Sequence, residues 1–172
     1  MIVSDSTPLI YLAKLGHLSL LHKLFGEVFV PSEVMSEVAR GKQLGFNDAA
    51  VVERAKEDGW IKEVGLNSPQ RRELLKLRHT FSDISVADAA AIALAQSLDA
   101  NLCLDDSRAV KVAEVLNKRH IGTLGILLLA VKKRPLTKEQ ARKSVLMLPE
   151  RGFYVGHDLL AEFMKLLDAQ PR

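Results

Sequence analysis

The chain has 172 residues, 48% of them hydrophobic and 26% charged, which excludes a disordered chain and suits one domain with a full core. Aromatic residues make up only 5%, so that core must be assembled from Leu, Val, Ile and Ala. A net charge of +3 is compatible with a nucleic-acid partner without requiring one, and a single cysteine excludes an internal disulfide framework.

Ile2–Ser4 reads as a short buried strand that ends on Asp5. A helix is predicted from about Pro8 to Leu15, with Ser6 or Thr7 as its cap. Leu18 to Phe25 forms a second amphipathic segment, and Glu27 to Pro31 a β-rich run. Ser32 opens a helix to about Arg40, Gly41 to Asn47 is a loop, and Asp48 to Asp58 is helical. Trp60 to Val64 is a strand, Ser68 to Arg78 a charged helix, and His79 to Ser85 a polar, mobile segment.

Val86 to Leu98 is the clearest helix, apolar nearly all round and therefore a core element. Asn101 to Leu104 is a strand running into Asp105-Asp106, and its Cys103 reads as a core thiol. Ser107 to Asn117 is helical, His120-Ile121 a minimal strand, and Thr123 to Lys133 a helix stopped by Pro135. Thr137 to Gln140 has capping-box spacing for a helix to about Leu148. Gly152 to Val155 is a turn with a short extended piece, and a last helix spans His157 to Leu167.

Strands alternating with helices predict an α/β fold: three layers, a central, mainly parallel sheet between helices, with a C-terminal helical extension. The expected division is a body of residues 1–131 and an extension of 132–172 packed on the same domain. No leader is expected, since the first residues lack a basic stretch and carry Asp5 early, and Leu124 to Val131 is too short an apolar run to span a bilayer. A cytoplasmic protein without membrane association is therefore expected.

Ligands of open α/β sheets bind beyond the carboxyl ends of the strands. Two strands end there on acids, at Asp5 and at Asp105-Asp106, and Glu37 and Asp88 lie on helices that could border the same crevice. Each acid also has a plainer reading. Asp5 and Asp106 precede helices, Ser85 and Asp88 have capping-box spacing, and Glu37 could be solvated. Together they form an oxygen-only donor set for a hard cation, Mg²⁺ or Mn²⁺, which points to phosphodiester hydrolysis. The spacings His-x-x-x-His and His-Glu-x-x-His, phosphate-binding glycine loops and nucleophile elbows are absent from the sequence.

Four runs occur in order: Val3-Ser-Asp-Ser-Thr-Pro-Leu-Ile-Tyr-Leu, Val30-Pro-Ser-Glu-Val-Met-Ser-Glu-Val, Ser85-Val-Ala-Asp-Ala-Ala-Ala-Ile-Ala-Leu-Ala and Leu102-Cys-Leu-Asp-Asp-Ser-Arg. With them the chain resembles the PIN-domain family, in particular VapC-like toxins. Gly122-Thr-Leu-Gly-Ile-Leu and Gly152-Phe-Tyr-Val resemble a branch with an added helical segment. The resemblance implies a metal-dependent endoribonuclease acting on single-stranded RNA, the toxin of a toxin–antitoxin module restrained by an antitoxin protein. Its acids fall on Asp5, Glu37, Asp88 and Asp106. The family pattern has a small hydroxyl residue two positions before the fourth acid, where this chain has Leu104, so Asp105 stands beside Asp106 as the alternative.

Arg40, Lys42, Arg108 and Lys111 follow these acids and could contact RNA phosphates, or simply be solvated. Apolar helices at Leu18–Phe25 and Leu159–Leu167 suggest a homodimer. The competing expectation is a PIN-like protein of weak or no activity that binds RNA or protein as a regulator, and a weaker third is a DNA-directed nuclease.

Overall fold

The structure, a computed structural model, describes residues 1–43 and 47–170, and the side chains of all of these except 41–43. Its centre is the first strand. β1 (Ile2–Ser4) pairs in parallel with β2 (Val28–Pro31) on one side and β4 (Asn101–Cys103) on the other. β3 (Ile61–Val64) lies beyond β2 and β5 (His120–Ile121) beyond β4, giving the order β3-β2-β1-β4-β5 with every pairing parallel. The chain builds outward from β1 in one direction, then returns to β1's other edge with β4. That reversal makes a crevice beyond the carboxyl ends of β1 and β4, and Asp5 stands in it.

Covered on both faces, the inner strands have no solvent side: Ile2, Val3, Val28, Val30 and Leu102 are fully buried. α6 (Val86–Leu98) lies against β1, β2 and β4 and against α3 (Ser32–Gln43) and α5 (Ser68–Thr80). Its unbroken buried run Ala87 to Ala95 explains the low aromatic content, because small side chains let a helix approach sheet and helices closely on every side. Cys103 is buried, as a core thiol should be.

The other helices are α1 (Ser6–Lys14), α2 (Ser19–Phe25), α4 (Asp48–Glu57), α7 (Ser107–Val115), α8 (Thr123–Lys133), α9 (Lys138–Met147) and α10 (His157–Ala169). Both α9 and α10 pack on α8, with Phe163 and Leu167 of α10 buried. His17, just after α1, meets the Ser144 hydroxyl of α9 at 2.9 Å, tying the carboxyl-terminal helices to the body. No described helix is long and apolar enough to cross a membrane.

Several expected boundaries shift. α1 begins at Ser6 rather than Pro8, because the first amides of a helix need no intrahelical acceptor and a proline two residues inside costs little there. Its N-cap position is Asp5, not Ser6 or Thr7. α3 continues through Gln43, so Gly41 does not end it; one helical glycine costs only about 1 kcal/mol. The 79–85 segment is tied down, since Ile84 is buried and its carbonyl accepts from the Arg78 guanidinium. Pro149–Arg151 is a short 3-10 helix, and the residues after it pair with no strand.

Candidate active site

The acid at the end of β1 is the most deeply placed. Asp5 donates its backbone amide to the Cys103 carbonyl at 3.0 Å, which carries the β1–β4 pairing one residue past the strand. The side chain is 4% exposed, and its buried Oδ1 has no hydrogen-bond partner among the described residues. Burial is the main cause that pushes its pKa from 3.8 up to about 7; the charges of Asp88 and Glu37 push the same way, against the Ser6 and Thr7 amides. A buried, orphaned, like-charged carboxylate is a costly arrangement unless a cation or proton compensates it.

Asp88 comes to the same place on the first turn of α6 and is 5% exposed. Its Oδ2 accepts from the Ser85 amide and its own amide donates to the Ser85 hydroxyl, each at 3.0 Å. The capping box is real, and it also aims the carboxylate: the helix starts here because Ser85 and Asp88 hold each other. Glu37, half-buried on α3, accepts at Oε2 from the Ser6 hydroxyl at 2.7 Å. Its Oε1 lies 4.0 Å from the exposed Arg40 guanidinium. Asp5, Asp88 and Glu37 thus share one electrostatic neighbourhood, with Ser6 holding the third.

The two acids after β4 are engaged elsewhere. Asp105 accepts at Oδ1 from the Thr123 amide at 2.8 Å and at Oδ2 from the Thr123 hydroxyl at 2.6 Å. Burial still raises its pKa, and these two bonds oppose the rise. Asp106 caps α7, accepting at Oδ1 from the Arg108 and Ala109 amides, while Arg108 Nη2 reaches its Oδ2 at 3.1 Å. Those bonds hold its carboxyl below the usual range although partial burial, the largest single cause, pulls upward. Arg108 is therefore paired with Asp106 and also feels the charge of Asp88. Lys111 is exposed on the next turn of α7, and the side chain of Lys42 lies outside the described residues.

Sequence reasoning read Ser6 as a helix cap or as part of the turn supporting Asp5, not as the partner of Glu37, and it passed over Thr123. Ser6 stands next to Asp5 and could have been suspected. Thr123 is 18 positions from Asp105 and meets it only because β5 delivers α8 beside β4.

A family model described as a PIN domain matches residues 1–169. The chain belongs to the PIN-domain family. Among curated proteins none matches it. The PIN fold is a nuclease-type fold, and PIN nucleases use divalent metal ions. Among the described residues, no group of three or more His, Cys, Asp or Glu side chains is arranged to hold a metal ion. The donors nevertheless suit a hard cation. Mg²⁺ is commonly held by one or two carboxylates, with water and phosphate oxygens completing its shell. The orphaned Oδ1 of Asp5 beside Asp88 meets that requirement, and no soft ligand is needed.

Proposed function

We propose that this PIN-domain protein is a Mg²⁺- or Mn²⁺-dependent endoribonuclease that hydrolyses phosphodiester bonds of single-stranded RNA. The observation that carries the reading is Asp5: a buried carboxylate with one unpartnered oxygen, raised in pKa beside Asp88 and Glu37 at the sheet's switch point. Asp5 and Asp88 would hold the ion, and Glu37 would take part from the position Ser6 gives it. A bound divalent ion supplies a water of lowered pKa and neutralises charge developing on the phosphate.

The chain's own groups do the rest. Ser85 fixes the Asp88 carboxylate and Ser6 fixes Glu37, so both acids are oriented before substrate arrives. Glu37 stands as a proton acceptor at the edge of the crevice. Arg108, with Arg40, Lys42 and Lys111, supplies the cations that would meet the RNA backbone. Asp106 and Asp105 are the fourth-acid candidates of the resemblance. Both already accept hydrogen bonds, Asp106 from Arg108 and Asp105 from Thr123, and a carboxylate held in this way keeps lone pairs with which it could still ligate an ion.

The wider setting of the proposal is a cytoplasmic homodimer, the toxin of a toxin–antitoxin module, held in check by an antitoxin protein. Residues 1–131 would form the nuclease body and 132–172 the helical extension. The test is Mn²⁺ titration of the full chain, followed by thermal denaturation and by cleavage of a single-stranded RNA. Wild type should gain thermal stability and cut RNA, and Asp5→Asn should lose both responses. If Mn²⁺ leaves wild type unchanged on both counts, the enzyme reading is wrong. The competing reading, a regulator binding RNA or protein, draws on the engagement of Asp105 and Asp106. It predicts RNA or protein binding with no metal response.

A further inference from the structure

Tyr154 is 88% exposed, and among the described residues it is the one Phe, Tyr or Trp that lies open to solvent. The two residues before it are held in place. The Phe153 amide donates to the Leu148 carbonyl at 3.0 Å, and the Tyr11 hydroxyl donates to the Gly152 carbonyl at 3.0 Å. The Phe153 ring packs edge-on against the Tyr11 ring with centroids 4.8 Å apart. Gly152, at φ +89°, turns the chain in the left-handed conformation that suits glycine, so Phe153 points inward while Tyr154 stands out. Beside the Tyr154 ring lies Gly156, where even a methyl group would sit 3.7 Å from it.

This aromatic borders a groove of about 560 Å³ shared with Asp105, Ser107, Lys111, Glu114 and His120. The groove therefore runs from the ring to the carboxyl end of β4. Its charge is mixed, with Asp105 and Glu114 against Lys111. Lys111 and Glu114 are both exposed on α7 and Asp105 is bonded to Thr123, so the groove offers a phosphate no net cationic site, whereas an uncharged base meets no such penalty. An open aromatic face next to such a groove suits an unpaired base, because stacking requires no particular base identity.

We propose that Tyr154 is a base-stacking residue of the substrate path, taking the face of one unpaired base in the groove that leads to the carboxyl end of β4. The proposal rests on the ribonuclease reading and deepens it, since it names the residue that would take a base of the single-stranded substrate.

The test measures binding of a fluorescein-labelled single-stranded RNA to the full chain by anisotropy, in EDTA so that no cleavage intervenes. Tyr154→Ala should weaken binding about ten-fold, while Tyr154→Phe and Tyr154→Trp keep it. In Tyr154→Trp, tryptophan fluorescence should be quenched by the RNA beyond any change shown by wild type, whose single tryptophan is Trp60. An abasic oligomer of the same length should bind wild type and Tyr154→Ala alike. With Mn²⁺ present, Tyr154→Ala should raise KM and leave kcat unchanged. Equal RNA affinity of wild type and Tyr154→Ala overturns the inference. So does a Tyr154→Ala change confined to sedimentation mass, which would make the ring a subunit contact. In both cases the nuclease reading survives if Asp5→Asn still abolishes cleavage. Failure of wild type to bind any RNA overturns the stacking role, and failure to cleave as well overturns both.

Discussion

Thr123 engages both oxygens of Asp105, its amide reaching Oδ1 at 2.8 Å and its hydroxyl reaching Oδ2 at 2.6 Å. The carboxylate faces the N-terminus of α8, where the exposed amides and the helix dipole favour negative charge. Asp105 thus bolts α8 to the end of β4, and through α8 it steadies the two helices that follow. Thr123→Val keeps the amide bond and removes the hydroxyl, leaving a buried oxygen without its donor. A loss of about 1–3 kcal/mol in urea denaturation is expected. An unchanged midpoint would show that the contact does not bear on stability.

Gly122 makes that contact possible by having no side chain. A Cβ there would stand 2.7 Å from Asp105 Oδ1 and 3.1 Å from the Leu104 carbonyl oxygen, and the latter is backbone that cannot step aside. Its φ of −99° is ordinary, so the objection to a side chain is one of space alone. Gly122→Ala should destabilise by about 1–3 kcal/mol. Because it displaces the same carboxylate, its effect should be less than additive with that of Thr123→Val in a double-mutant cycle.

Asp5 makes the metal-free protein sensitive to pH. Its folded pKa of about 7 lies above the unfolded 3.8, so the native state holds the proton more tightly. The stabilisation is complete below pH 3.8 and is lost as pH rises through 7. In EDTA, wild type should lose a few kcal/mol from this group between pH 4 and pH 8. Asp5→Asn, which is neutral throughout, should flatten that loss. Conversely, Mn²⁺ should stabilise wild type more at pH 8 than at pH 5.5, where it competes with the proton. Parallel pH profiles for wild type and Asp5→Asn would contradict the charge assignment.

Ser6 orients Glu37 across 31 residues with a 2.7 Å hydrogen bond. Ser6→Ala should cost about 1 kcal/mol in stability, since Glu37 is partly solvated and can recruit water. Cleavage should fall by roughly ten-fold or more, because the acid loses its fixed orientation. The discriminating readout is kcat against KM: the loss should appear in kcat.

Much of the fold was legible because its determinants are local. Val86–Leu98 and Thr123–Lys133 were found at their observed limits, since one has a capping box and an apolar surface on every side and the other a proline after its end. The start of α1 was not, because Pro8 suits any of the first helical positions and the residues alone do not choose among them. For the site, Asp5 stood out at the end of an apolar strand and Asp88 as a lone charge in an apolar helix, which are properties of sequence. Their burial at 4% and 5% follows from the same runs.

The sequence by itself determined the α/β class, the strand that carries Asp5 and the acids worth examining, because periodicity, capping and turn chemistry act over a few residues. Only the tertiary structure decided the order β3-β2-β1-β4-β5, the company Asp5 keeps with Asp88 and Glu37, and the engagement of Asp105 by Thr123. Those outcomes depend on which strand lies beside which. Long-range packing sets that, and no local pattern encodes a donor 18 positions away, as Thr123 is from Asp105.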